Sequence, residues 1–327
     1  MLARRIGSSR VAAVFAVACV AACGSAAPPV TSPAPASTTP AGAVPQGDAV
    51  VAIDGATESE PEAPTPEGEG HVFHYRVPVV GSRVHVQETM TSSFSVATGQ
   101  TGQQRVVGRD EKTTIDRTVE VAAISGDVVT SVKVHYKSHE TIKREGGTET
   151  RENAPIIGKT YLVEVKDGSV VVLTGKRAAA PPEEASIVQK DFTDLGKPDE
   201  FQDALPDRPI RVGERADSVA RALKTRLAKG DGKGKATASG VTVRLARVDD
   251  HGGSKTGVLD FTANLLYATG HALIRMKVKG QVEIRLEDGF ISSMSMVGPV
   301  TVTSPAGSPV PLNGTGSYAA TTTSEPL

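Results

Sequence analysis

Tryptophan is absent and aromatic residues make up only 4% of the chain, which argues against sugar binding by ring stacking. Cysteine is nearly absent too. The two residues, Cys19 and Cys23, both lie near the N-terminus, so no disulfide holds the body and a hydrophobic core must do so. The apolar run Val11–Val20 is too short to span a bilayer, which takes about 20 apolar residues. Lys and Arg are missing from residues 24–70. There is no Gly-x-Ser-x-Gly nucleophile turn, and no pair of carboxylates stands out as an acid and its base. Binding, rather than catalysis, is the expected role, with no cofactor and no metal; an uncharacterised hydrolase stands third among the readings.

What is present first is a leader. Arg4, Arg5 and Arg10 precede Val11–Val20, and small residues follow, the charged, apolar and small-residue regions of a secretory signal. A plain signal explains residues 1–22, but not a cysteine placed at the cut. Val20-Ala21-Ala22-Cys23 resembles the lipobox of bacterial lipoproteins, usually written Leu-Ala-Gly-Cys, with Val for Leu as the departure. The resemblance implies that the Cys23 thiol receives diacylglycerol and that cleavage leaves Cys23 as an acylated N-terminus in the cell envelope. Cys19, the alternative, would leave an apolar region of only Val11–Phe15, short of the usual 7–15 residues. Under the enterobacterial sorting rule, Gly24 rather than Asp after the cysteine implies the outer membrane.

The formal charge of −1 hides an uneven distribution. The leader carries three arginines. Residues 24–70 carry seven carboxylates, and the remainder is mildly basic. That is no nucleic-acid footprint, which needs a concentrated basic patch. Residues 23–70 are Pro-, Ala- and Glu-rich, and such sequence cannot bury enough apolar surface to offset the cost of ordering. They read as a lipid-anchored acidic tether, about 40 Å end to end.

From Phe73 the pattern turns to period two, the signature of strands. Ala272, Ile274, Met276, Val278, Val282, Ile284 and Leu286 face one way; Arg275, Lys277, Lys279, Glu283 and Arg285 face the other. Gly280 breaks the inward row and predicts a bend or bulge. Further alternating rows are Val84, Val86, Met90, Phe94 and Val96; Ile115, Val119 and Val121; Val132, Val134 and Tyr136; and Leu259, Phe261, Ala263, Leu265 and Tyr267. Asp167-Gly168 and Asp288-Gly289 are hairpin signals.

Between the strand-rich stretches, about residues 182–229, two helices are predicted. One runs from Pro182 to a stop at Gly196 and the other from about Arg215 to Lys229, each with an apolar stripe. The body, residues 71–303, is therefore expected to be mainly β: a large curved antiparallel sheet or open half-barrel with about two helices packed on it. Residues 304–327 read as a low-complexity tail, contributing one edge strand at most. This architecture behind a lipobox resembles the lipoprotein-carrier half-barrels, whose concave face holds acyl chains. No motif carries that resemblance. It implies a lipid ligand, with an envelope protein as the alternative partner. An open apolar interior favours the carrier; a solid one favours an interaction module.

The histidines offer no metal centre. His135 and His139 sit four residues apart on a strand, about 13 Å, too far for shared coordination. His71 and His74 lie on opposite faces, and His85, His251 and His271 have no acidic or histidine partner at useful spacing. Gly230-Asp231-Gly232-Lys233-Gly234-Lys235 lacks the spacing and the hydroxyl of a phosphate loop, since Ala236 follows the lysine.

Overall fold

Each of the alternating rows forms a strand, and the strands join into one sheet. A computed structural model describes residues 67–99, 105–229 and 235–327. Cys23, the leader and residues 23–66 lie outside the described residues, as do residues 230–234. In chain order the strands are β1 (Glu67–His71), β2 (Arg83–Thr98), β3 (Arg105–Ser125), β4 (Val128–Glu145), β5 (Thr148–Asn153), β6 (Thr160–Lys166) and β7 (Ser169–Thr174). Helix α1 (Pro182–Asp191), β8 (Ile210–Val212) and helix α2 (Asp217–Ala228) follow. Then come β9 (Lys235–His251), β10 (Ser254–Ala268), β11 (Leu273–Arg285), β12 (Ile291–Thr303) and β13 (Leu312–Pro326).

Eleven strands form one antiparallel sheet in the order β7-β6-β4-β3-β2-β13-β12-β11-β10-β9, with β5 beside β4; β1 and β8 form a separate pair. The order is two meanders joined by the pairing of β13 with β2. The sheet does not close, because its end strands β7 and β9 are not paired with each other. Both helices and β8 fall in the chain between those two edges. The fold is the mainly β, open antiparallel sheet with two helices that the alternation predicts.

Inward rows of both meanders are buried, and each helix packs on them. Val219, Ala220 and Leu223 of α2 join Leu245, Leu265, Ile274 and Val278 in one hydrophobic cluster. Val188 of α1, with Phe192 and Leu195 just beyond it, joins Val86, Val119, Val134 and Val163 in a second. Ala320 packs against both. Helix α1 stops at Asp191, five residues before the glycine expected to end it. Phe192 and Leu195 are buried there from a turn rather than from a helical stripe.

Three expectations need correction. Residues 304–327 are not an edge: β13 pairs along its length with β12 on one side and β2 on the other. Its apolar alternation is weak because neighbouring side chains occupy the space its own would fill. A Cβ on Gly316 would stand 2.8 Å from Phe94 Cδ1, and one on Gly314 2.8 Å from Val96 Cγ2. Gly280 does not bulge: β11 keeps continuous register across it with β10 and with β12. The missing side chain admits the Phe261 ring, whose Cζ would lie 2.4 Å from a Cβ there. Finally, Glu67–His71, assigned mostly to the tether, form strand β1, which pairs with β8 through backbone groups that an apolar pattern does not reveal.

A methionine-lined pocket beside a buried ion-pair network

Methionine occurs five times in the chain. Four of those residues, Met90 of β2, Met276 of β11 and Met294 and Met296 of β12, line one pocket. It lies between the two hydrophobic clusters, since Met90 belongs to one and Met276 and Met296 to the other. Leu223 and Leu227 of α2, Tyr267 of β10 and Ala320 of β13 complete its apolar wall, and it leaves a volume of about 60 Å³ unfilled. The inner face of the sheet is otherwise packed by the two clusters. Methionine has three rotatable bonds and a polarizable sulfur, so a methionine wall can re-pack around an incoming group more readily than one of Val or Ile. Of the residues singled out in the β11 row, Met276 reaches this pocket, while Val278 and Ile284 are fully buried core.

Charged groups stand at two places on the wall. Glu88 of β2 is one, and it is 2% exposed. It accepts a hydrogen bond from Nη2 of Arg117 on β3, which is itself completely buried. Arg117 Nη1 donates to Oδ2 of Asp191 at 2.8 Å, and the Tyr136 hydroxyl donates to the same oxygen at 2.7 Å. Asp191 is the last residue of α1, where a negative charge opposes the helix dipole; the guanidinium and the phenol offset that. Burial pushes the Tyr318 hydroxyl well above its ordinary value, and the charge of Glu88 adds to the effect. The opposite end of α1 is held the same way. Glu184 Oε1 accepts from Lys159 Nζ at 2.7 Å and Oε2 from the Tyr161 hydroxyl at 2.5 Å. These two bonds hold the Glu184 carboxyl below the usual carboxylate range.

The second charged place is the last turn of α2. Arg226 and Lys229 line the pocket and also face a shallow hollow formed by Asp194, Asp199 and Glu200. Lys229 Nζ lies 3.7 Å from both Asp194 Oδ1 and Glu200 Oε2. Burial lowers the Arg226 pKa, against the opposing charges of Asp199, Asp194 and Glu200.

Glu88, Arg117 and Asp191 are not singled out from the sequence, yet a signal exists for the first two. Glu88 falls in the inward row between Val86 and Met90, and Arg117 between Ile115 and Val119. A charge interrupting an apolar row on each of two neighbouring strands is the mark of a buried pair. The histidine reading also needs one correction. His85 does have an acidic partner, Asp116 Oδ1 at 2.8 Å from Nε2, brought there by the β2–β3 register rather than by sequence spacing. His135 bonds the Thr160 hydroxyl. Among the described residues no group of three or more His, Cys, Asp or Glu is placed to hold a metal, and no helix is long and apolar enough to cross a membrane.

No protein-family model matches the chain, and no curated protein matches it. Among solved structures, lipovitellin, in a structure concerned with its lipid–protein interactions, aligns over 76% of this chain and 25% of its own. The identity is 8% and the TM-score 0.36. DynF, from the dynemicin biosynthesis pathway of Micromonospora chersina, aligns over 78% of this chain and 90% of its own at 9% identity, with a TM-score of 0.16. Likeness at this level bears on neither fold nor ligand.

Proposed function

We propose that this chain is a non-catalytic binding protein of the bacterial cell envelope, tethered through acylated Cys23, that takes up a single-chain apolar or lipid ligand. The observation that carries the reading is the convergence of Met90, Met276, Met294 and Met296 on one pocket between two otherwise well-filled cores. Aliphatic and aromatic side chains make up most of both cores, and the four methionines among the described residues all reach the pocket between them. That distribution suits a wall that opens for a guest, because unbranched thioether side chains change rotamer at little cost. The free space is far smaller than an acyl chain, so the interior as it stands is solid, the outcome that favours an interaction module, and uptake of even one chain requires the methionine wall to re-pack.

The test is titration of the whole chain, carrying Cys23→Ser so that no lipid is attached, with a fluorescent fatty acid. Saturable binding that is lost when Ala320→Phe fills the pocket supports the reading. Absence of binding by the unfilled protein sinks it. A second reading, a protein-interaction module, draws on the outward face. From Ser293 to Thr303, Asn313 to Thr323 and Thr89 to Ala97, the outward residues of three adjacent strands include no charged side chain. Failure of the fatty-acid titration would leave that reading in place.

A further inference from the structure

Resting on the acyl-chain reading, we infer that the pocket selects ligands with an anionic headgroup, held at its rim by Arg226 and Lys229. Both residues belong to the last turn of α2 or the position just beyond it, and both line the pocket as well as the neighbouring acidic hollow. An apolar chain lying among the methionines would place its head beside two cations.

The charges around that head argue for the sign. Glu88, the carboxylate on the pocket wall among the described residues, is already bonded to Arg117, so the interior presents it as half of an ion pair. The carboxylates that face Arg226 and Lys229 stand in the adjacent hollow: Asp194, Asp199 and Glu200. Lys229 meets Asp194 and Glu200 only at 3.7 Å, and its side chain remains 44% exposed. Loose, partly solvated pairs of that kind contribute little, so Lys229 can swing to a headgroup at small cost. Arg226 is more deeply placed, and its burial disfavours the charged form against the pull of Asp199, Asp194 and Glu200; an anion in the pocket would add to that pull. A cationic head would meet Arg226 and Lys229 on the pocket wall, since the three carboxylates line the adjacent hollow and not the pocket itself.

Cations at a helix C-terminus also have a purely structural role, complementing the helix dipole, and the test must separate the two. The full chain carrying Cys23→Ser is titrated with hexadecanoate, hexadecanol and hexadecyltrimethylammonium, each below its micellar concentration. Hexadecanoate should bind about tenfold more tightly than hexadecanol, the scale of one charge-assisted hydrogen bond, and the ammonium should bind more weakly than either. In Arg226→Gln/Lys229→Gln the hexadecanoate-to-hexadecanol ratio should fall to about one. The single Lys229→Gln, at a half-exposed position that does not threaten folding, should lower the ratio part of the way. A structural role alone would shift the melting temperature and leave the ratio intact, which would overturn the inference. Equal binding of all three probes by the parent overturns it alone. Binding of none overturns the acyl-chain reading, and this inference with it.

Discussion

Arg117 of β3 and Asp191 at the end of α1 lie 74 positions apart in the chain and meet at 2.8 Å, both essentially without solvent exposure. With Glu88 and Tyr136 they form a polar knot inside an apolar cluster. It ties α1 to the sheet, and Glu88 continues it to the pocket wall.

Removing Arg117 should therefore be costly. Arg117→Met leaves Glu88 and Asp191 without their cation and should destabilise the protein by about 3–5 kcal/mol, read from urea denaturation. The triple replacement Glu88→Leu/Arg117→Met/Asp191→Leu should recover most of that loss, because an apolar set of similar volume needs no charge compensation. A triple variant no more stable than the single one would show that the network contributes net stability.

The C-terminal strand should prove indispensable. Ending the chain at Thr303 removes β13 and parts β2 from β12, the junction between the two meanders. The truncated protein should lose its cooperative melting transition, followed by far-UV circular dichroism. A melting temperature within a few degrees of the parent would show that residues 304–327 are dispensable.

Pocket-lining and core residues should separate energetically. Ile284 is fully buried in a cluster, and Ile284→Ala should cost about 2–5 kcal/mol. Met276→Ala borders space that is already open, so its cost should lie near or below about 2 kcal/mol, while fatty-acid uptake changes. Equal penalties would mean that Met276 is ordinary core.

Glu184 should shape the acid limb of stability. Its folded carboxyl is depressed by Lys159 and Tyr161, so the stabilisation is present above the ordinary carboxylate value and is lost as pH falls through the lower folded value. As pH falls below the ordinary carboxylate value of about 4.5, the parent should lose more stability than Glu184→Gln. Parallel stability-versus-pH curves for the two proteins would contradict this.

The anchor is tested by partitioning. One acyl chain gives only marginal membrane binding and two give durable attachment. Cys23→Ser should move the protein out of the detergent phase of a two-phase extraction. Unchanged partitioning, with Cys19→Ser releasing it instead, would move the cleavage site.

Alternation was enough to place β2, β3, β4, β10 and β11, Asp-Gly turns added β6, β7 and β12, and apolar stripes placed both helices, because each such element buries one face and writes that face into the sequence. Apolar-row signals fail where the space is filled by something else. Gly314, Gly316 and Gly280 look like breaks when read alone, and only the pairing of β13 with β2 and of β10 with β11 puts Phe94, Val96 and Phe261 above them. β5 shows no row because all six of its residues are exposed, and β1 is a short strand paired with β8 through its backbone. The resemblance of Val20–Cys23 to a lipobox rests on contiguous residues and needs no fold to be noticed. The site was not, since Met90 and Met296 come from opposite ends of the body and Arg117, Glu88 and Asp191 from three separate elements. Local patterning decided which residues face inward; the strand order decided which inward residues meet. A pocket or a buried ion pair is a property of that meeting, set by contacts between residues tens to hundreds of positions apart.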